Sequence, residues 1–341
     1  MPKSKSRKAI AWPMRIQARK GSPVEKAYYY HSTLPGNHWP MPEEIAPGID
    51  PAPLEDLIFH GGRVVPQMEF QNIYLGETDN WSENDIALID RAIMLAMQDQ
   101  DLNNVMVQYF PGSSLECDPR DSFVQNQTKP PELDEPGVQA TVTALFDDGK
   151  IKKSNLDDTI FNLILPPGTV LKLDDSSSLQ GLGGYHGSVQ IKRGGKQITL
   201  YYSANVFSEM QGRRENGIVA FDQPWKNVVG TLYHEINEFR TDADVREAIQ
   251  TGNNDFLGWM SRSGRECGDQ PIVAARSLSL IFQEVVVTKS AKRVPVQFLY
   301  SNAVHGAEGP IDAPHADVSA NARKRGTRGR KKRRSLRPVS G

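Results

Sequence analysis

Apolar residues recur along this chain with two periods, one typical of helices and the other of strands. After Ser82, which precedes Asp85 by three positions, the apolar residues at 86, 89, 93, 94 and 97 keep a 3.6-residue period and predict a capped helix. Pro136 begins a second helical stripe, and Gly149 ends it. We predict two further helices, from about Trp225 to Gln250 and from Pro271 towards Thr288.

Segments rich in β-branched and aromatic residues lie between these helices and predict strands. The dipeptide Gly194-Gly195 joins two of them, residues 189–191 and 197–206, and predicts a hairpin. The other predicted strands are Arg63–Leu75, Val105–Phe110, Thr159–Leu165 and Val294–Tyr300. Because strands and helices alternate along the chain, we expect an α/β or α+β fold.

Proline and charge divide the sequence into three parts. Residues 1–56 contain many Pro and Gly breakers and predict a basic, Pro-rich, largely extended lead-in, residues 57–303 predict the globular domain, and residues 304–341 predict a disordered basic tail. Residues 1–20 carry seven Lys and Arg residues and residues 323–337 carry ten, with no acidic residue in either segment. We expect these segments to bind polyanions, either nucleic acid or an acidic surface; the alternative is that the tail folds back onto the acidic remainder.

Several classes of protein do not fit the sequence. No apolar run approaches the roughly 18 residues that a spanning helix needs, and the basic N-terminus lacks the apolar stretch of a secretory signal. We therefore expect no membrane span and favour a cytoplasmic location, or a nuclear one in a nucleated cell, since the basic run is typical of a nuclear-localisation patch. With only Cys117 and Cys267, a disulfide scaffold and a four-cysteine zinc site are both excluded.

Candidate chemistry concentrates in the predicted helix at 225–250, which contains the pattern H-E-x-x-E. His234 and Glu238 fall one turn apart on one face, Asp242 lies a further turn along, and Glu235 lies beside that ridge. In H-E-x-x-H, two histidines hold zinc and the intervening Glu activates the attacking water. We expect zinc. Because a carboxylate in place of the second histidine makes the site harder, manganese, calcium or iron becomes more plausible than in a two-histidine site, with calcium and manganese as the main alternatives. The same residues are also typical of a charged, solvated helix face.

Short motifs on either side of this helix add to the pattern. His234–Asp242 reads H-E-x-x-E-x-x-T-D, Gly258-Trp259 follows, and Gly264–Asp269 reads G-x-E-x-G-D. The remaining motifs, in chain order, are Phe59–Gly62, Asn72–Gly76, Leu165–Gly168, Gly184–Gly187 and Val296–Asn302. Together, over about residues 58–303, they make the chain similar to the EXORDIUM-like (phosphate-induced protein) family and to a wider set of bacterial zincin-like proteins.

The resemblance implies one large zincin-like domain with a mixed sheet and an active-site helix. By position, His234 and Glu238 would be metal ligands, Glu235 would be the catalytic base, and the acidic residues that complete or support the site would be Asp242, Glu266 and Asp269. The sequence departs from the family in three respects. The chain shows no export signal, Gln270 replaces a cysteine, and Ala243 replaces a proline, which would let the helix continue towards Val245 and Ile249.

The third metal ligand has several candidates. Asp242 fits a regular helix, Asp244 fits a metzincin-like spacing, and Glu266 fits a thermolysin-like arrangement with a Glu from a later segment. We favour Glu266, with Asp269 as a supporting or calcium-type ligand. The alternative is that Glu266 and Asp269 belong to an ordinary exposed acidic loop.

Other residues near these motifs have mainly structural interpretations. His60 and His186 each lie among glycines, where a role in a turn is favoured over contact with the metal or the substrate. Met260 is expected to pack in a core, and Tyr233 or His186 is a candidate donor to an oxyanion. We predict a metal-dependent hydrolase, a metallopeptidase acting on a peptide or protein. The alternative is a non-catalytic metal-binding or interaction protein on a degenerate zincin-like fold.

Overall fold

The computed structural model describes residues 45–288 and 290–315. Its helices are α1 (Glu83–Met97), α2 (Gln100–Met106), α3 (Glu135–Asp147), α4 (Pro224–Thr241), α5 (Val245–Thr251) and α6 (Asp269–Ala274). Its first eight strands are β1 (Ile58–Phe59), β2 (Gln67–Leu75), β3 (Glu116–Gln125), β4 (Glu132–Leu133), β5 (Thr159–Ile164), β6 (Val170–Leu173), β7 (Ser176–Ser177) and β8 (Gly184–Arg193). The later strands are β9 (Lys196–Asn205), β10 (Glu209–Gln211), β11 (Arg214–Asn216), β12 (Trp259–Met260), β13 (Phe282–Val287), β14 (Lys292–Gln297), β15 (Leu299–Ser301) and β16 (Gly306–Glu308).

A five-stranded mixed sheet in the order β3-β2-β5-β9-β8 forms the centre of the fold. The first four of these strands are parallel, and β8 pairs antiparallel with β9 at one edge. Alternate residues of β5 enter two different cores: Ile160 and Ile164 pack with α1 and α4, whereas Phe161 and Leu163 pack with α3. The sheet is therefore covered by helices on both faces, which confirms a mixed α/β fold.

Several helices and strands lie where short sequence motifs predict them. The Ser82 side chain accepts a hydrogen bond from the Asp85 N–H and caps α1, and α3 begins at Glu135 with Pro136 in its first turn. Gly194 and Gly195 both have positive φ, as a tight hairpin requires, and join β8 to β9. The last predicted strand corresponds to β14 and β15.

The predicted strand Val105–Phe110 is wrong, because this segment is helical. The Asp99 side chain accepts hydrogen bonds from the N–H groups of Asp101 and Leu102 and caps α2, and a 3-10 turn follows at Val107–Tyr109. Leu102, Val105, Met106 and Tyr109 are buried at helical spacing. A short apolar run fits either structure, and the cap at Asp99 decides it.

The two later helix predictions were too long. Helix α4 ends at Thr241, and α5 begins only at Val245, so the predicted continuation to Gln250 is wrong. The helix is interrupted after Thr241 because Gly258 packs directly against the Thr241 carbonyl. The Gly258 N–H also donates a hydrogen bond to Asp242 Oδ1 at 2.7 Å. The helix predicted from Pro271 towards Thr288 stops at Ala274, and the β-branched run that follows pairs with β14 as β13.

Chain segments on both sides of the predicted domain limits, residues 57 and 303, contact each other. The Ala46 N–H donates to the Ala307 carbonyl at 2.7 Å, and the Ala52 N–H donates to the His305 carbonyl at 2.7 Å. The predicted basic segments at 1–20 and 323–337 lie outside the described residues. Within the described part of the chain, no helix has the length and apolar character needed to cross a bilayer.

Candidate metal centre

Helix α4 carries the H-E-x-x-E residues through the centre of the molecule. Pro224 begins the helix, and every residue from 227 to 241 is buried. Val228, Leu232, Ile236 and Phe239 pack into the core beneath the sheet. His234, Glu235 and Glu238 are therefore buried polar groups and not a solvated face, and buried charges of this kind need counter-charges or a cation.

The orientation of His234 is fixed by a chain of two polar contacts. Its Nδ1 lies 2.9 Å from Gln297 Oε1, and the Gln297 amide nitrogen donates to the Gly268 carbonyl at 2.6 Å. Because Gln297 Oε1 accepts a hydrogen bond, Nδ1 of His234 carries a proton, and Nε2 faces Glu238. Gly268 packs against the imidazole of His234, so any side chain at position 268 would overlap the ring.

Glu238 connects His234 to the loop that precedes α6. Its Oε2 lies 3.0 Å from His234 Nε2, and its Oε1 accepts hydrogen bonds from the N–H groups of Gly268 at 3.1 Å and Asp269 at 3.2 Å. Burial alone would raise the pKa of the Glu238 carboxyl, but the two histidines and the Gly268 N–H hold that pKa below its usual value. Glu238 is therefore the ionised carboxylate of the site.

Asp269 completes a group with His234 and Glu238. One ligand atom from each of the three residues lies within 4.8 Å of the other two. Burial and the nearby Glu238 raise the pKa of Asp269 to about 7. The sequence favoured Glu266 as the third ligand and Asp269 as its support, whereas the structure places Asp269, not Glu266, beside His234.

His186 reaches the site from strand β8, although the sequence favoured a structural role in a turn. The imidazole is buried, with Nδ1 3.5 Å from Glu235 Oε2 and Nε2 3.7 Å from Glu266 Oε1. Burial acts against the charged ring, but the Glu235 and Glu238 carboxylates raise the pKa of His186 above its usual value. Gly184 lets β8 approach α4 this closely, because a Cβ there would lie 3.0 Å from Glu235 Oε1.

The remaining candidates lie around the edges of the cluster. The Asp242 carbonyl is 3.2 Å from His186 Nε2, and Asp244 accepts a hydrogen bond from the Tyr201 hydroxyl at 2.9 Å. Burial raises the pKa of Asp242 to about 7. Asp242 thus contacts His186 through its backbone, and the Asp244 side chain is bonded to β9.

Three other residues from the motifs have structural positions. Tyr233 packs into the main hydrophobic core, Met260 packs with Val245 and Leu257, and His60 is exposed, with Nε2 3.4 Å from the Met260 carbonyl. The two cysteines are buried free thiols. None of these residues belongs to a group that could hold a metal ion among the described residues.

A cavity of about 130 Å³ opens beside α4. His234, Glu235 and Asp269 are among its polar lining residues, and the rest of the lining is mainly apolar, including Ile218, Ile272, Leu278 and Phe282. An engineered apolar cavity of about 150 Å³ holds a benzene molecule, so this space is sufficient for one aliphatic or aromatic side chain. The cavity therefore has room for a small apolar group next to His234 and Glu235.

Searches of protein-family models, of curated proteins and of solved structures found no match to this chain. The resemblance to the EXORDIUM-like family therefore stays a prediction from the motifs. What the site can do follows from the positions and environments of its own residues.

Proposed function

We propose that this protein is a zincin-like, metal-dependent hydrolase, and specifically a metallopeptidase. The observation that carries the proposal is the group His234, Glu238 and Asp269, whose ligand atoms lie within 4.8 Å of one another at the wall of a cavity. Catalytic zinc sites use three protein ligands and keep a fourth position open, which here would face the cavity. Glu235, the residue after the first ligand, lines the same cavity.

The donor set fits a divalent cation. One imidazole and two carboxylates are ligands that zinc accepts, and manganese and calcium are the alternatives because two of the three donors are hard oxygens. The His234 Nε2 lone pair faces a carboxylate oxygen at 3.0 Å, a contact that needs either a proton or a cation between the two atoms. A zinc ion bound by these residues supplies Lewis acidity at the scissile carbonyl.

Glu235 has the position and the environment of a general base. Its side chain is buried and faces the cavity, and burial raises the pKa of its carboxyl above the usual value despite the neighbouring histidines. A raised pKa suits a group that takes a proton from the attacking water and passes it to the leaving amine. His186 Nδ1, at 3.5 Å from Glu235 Oε2, orients this carboxylate.

The cavity indicates the type of substrate. Its volume of about 130 Å³ and its apolar lining fit one aliphatic or aromatic side chain next to the base. A peptide with an apolar residue beside the scissile bond would bury that residue here, and the burial of one such side chain contributes about 1.5–3 kcal/mol. We therefore expect cleavage next to apolar residues.

The test combines metal analysis with one isosteric variant. We expect purified protein to contain stoichiometric zinc by mass spectrometry, and Glu235→Gln to keep that zinc but lose hydrolysis of a peptide library. Glu83→Gln, at an exposed position in the first turn of α1, is the matched control and should retain both. A folded protein that takes up no metal would overturn the proposal. Stoichiometric metal without turnover of any peptide would favour the non-catalytic alternative.

A further inference from the structure

A second group of possible ligands lies next to the first and shares one residue with it. His186, Glu238 and Glu266 also place one ligand atom each within 4.8 Å of the others. All three side chains are buried, whereas Asp269 in the first group is half-buried. The two histidines of the cluster therefore fall into separate groups that meet at Glu238.

A buried acidic oxygen points to a ligand in this second group. Glu266 is 8% exposed, and its Oε1 has no hydrogen-bond partner among the described residues although it lies 3.7 Å from His186 Nε2. An unpaired buried carboxylate oxygen is costly, so it requires a proton, a counter-charge or a cation. In tetrahedral zinc sites, neighbouring ligand atoms lie about 3.3 Å apart, which is close to the separation of these two atoms.

Both ring nitrogens of His186 lie beside oxygen atoms of the cluster. Its Nδ1 lies 3.5 Å from Glu235 Oε2 and 3.8 Å from Glu238 Oε2, and its Nε2 lies 3.7 Å from Glu266 Oε1 and 3.2 Å from the Asp242 carbonyl. A carboxylate that holds one ring nitrogen while the other binds a cation is the usual arrangement around metal-ligating histidines. We infer that one ring nitrogen of His186, with Glu238 and Glu266, binds a second divalent cation, of the zinc or manganese class, so that Glu238 bridges two metal ions.

The charges of the cluster favour two cations over one. Five buried or half-buried carboxylates, Glu235, Glu238, Asp242, Glu266 and Asp269, surround only two imidazoles. One divalent cation leaves an excess of negative charge in a region with little access to water, and a second reduces it. The competing arrangement has no second cation and a doubly protonated His186 that donates from Nε2 to the Asp242 carbonyl.

The second centre would be closed and structural. His186, Glu238 and Glu266 do not line the cavity that His234, Glu235 and Asp269 face. The cation would join strand β8, helix α4 and the loop before α6, and it would hold His186 against Glu235. The second centre rests on the proposed hydrolase only through the shared residue Glu238, so the two proposals can fail separately.

Metal stoichiometry tests this inference on the full chain. Protein stripped with a chelator, reloaded with Zn²⁺ and desalted should contain two zinc ions per chain by mass spectrometry. His186→Ala and Glu266→Gln should each contain one, and His234→Ala should also contain one. His60→Ala is the matched control, since this exposed imidazole lies outside both groups, and it should retain two.

A second measurement does not depend on the folding of any variant. Wild-type protein loaded with two equivalents of Mn²⁺ should give a spin-coupled electron paramagnetic resonance spectrum, because one carboxylate bridges the two ions. One zinc ion per chain in the wild type, or two in His186→Ala, would overturn the second centre and leave the proposed hydrolase standing. No zinc in any folded preparation would overturn both.

Discussion

His234 Nε2 lies 3.0 Å from Glu238 Oε2, one turn along helix α4, at a point where both side chains are buried. Each residue is also tied to the loop before α6, His234 through Gln297 and Glu238 through the Gly268 N–H. The position of the loop thus depends on the same two side chains that would bind the metal.

Metal removal should lower stability in a way that depends on His234. A metal ion at about 100 times its dissociation constant adds about 2.7 kcal/mol to the free energy of unfolding. We expect a chelator to lower the Tm of the wild-type protein and zinc to restore it. His234→Ala should show a smaller shift in the same thermal titration, and an equal shift in both proteins would contradict the assignment.

Replacing Gln297 with Leu should weaken zinc binding without removing a ligand. Gln297 fixes the ring of His234, and loss of such a partner typically costs 10–100-fold in metal affinity. Competition with a chromogenic chelator would measure the change. Gln190→Leu, on the exposed side of strand β8, should bind zinc as the wild type does. Unchanged affinity in Gln297→Leu would show that the ring is held by other contacts.

Replacing Gly268 with Ala should displace His234, because the new methyl group would overlap the imidazole. We expect a large loss of stability together with loss of zinc from the first centre, measured by denaturant unfolding and mass spectrometry. Gly112→Ala is the control, because that residue has φ +76° and open space around it. Its cost should be about 1 kcal/mol from backbone strain alone, with the zinc content unchanged.

Arg246 should contribute to stability through an ion pair that contains none of the proposed metal ligands. Its guanidinium makes two hydrogen bonds to Glu135, at 2.9 and 2.6 Å, and joins α5 to α3 with both side chains nearly buried. Because Arg246→Ala leaves the Glu135 carboxylate without this partner and also removes the contact with the exposed Asp174, we expect a loss of about 3 kcal/mol, the lower end of the range for a buried ion pair. Arg193→Ala breaks an exposed pair with Asp147 and should change unfolding in urea far less.

The cationic tail should determine binding to polyanions. Residues 323–337 carry ten Lys and Arg residues with no aromatic residue among them, so binding should be salt-sensitive and indifferent to sequence. Deleting residues 320–341 should lower the salt concentration at which the protein elutes from immobilised DNA. Elution at the same salt concentration would show that the tail instead associates with the acidic body.

Elements with strong local signals were predictable. The cap at Ser82, the proline at 136 and the two glycines at 194 and 195 each determine backbone geometry within a few residues. The end of α4 was not predictable in this way. Residues 242–250 have helical periodicity, and only the approach of Gly258, sixteen residues later, breaks the helix at Asp242.

The residues of the candidate site also differ in whether the local sequence predicts that they lie together. His234, Glu235 and Glu238 share one helix, so their spacing alone predicts that they lie close together. His186 lies 48 residues before His234, on an edge strand, and no local pattern connects the two. The glycines at 184 and 187 were the available signal, because they mark a strand that another backbone approaches closely. Gln297 gave no signal of its own role.

Strand β16 holds both ends of the described chain. Ile45 packs against Gly306 in this strand, and His315 lies 2.8 Å from Glu308 at its other end. The first and last described residues, 45 and 315, therefore both lie at this one short strand. Since the cationic segments at 1–20 and 323–337 belong to one chain, we expect a polyanion bound to one segment to meet the other at a raised effective concentration, so that the avidity of the pair exceeds the affinity of either segment.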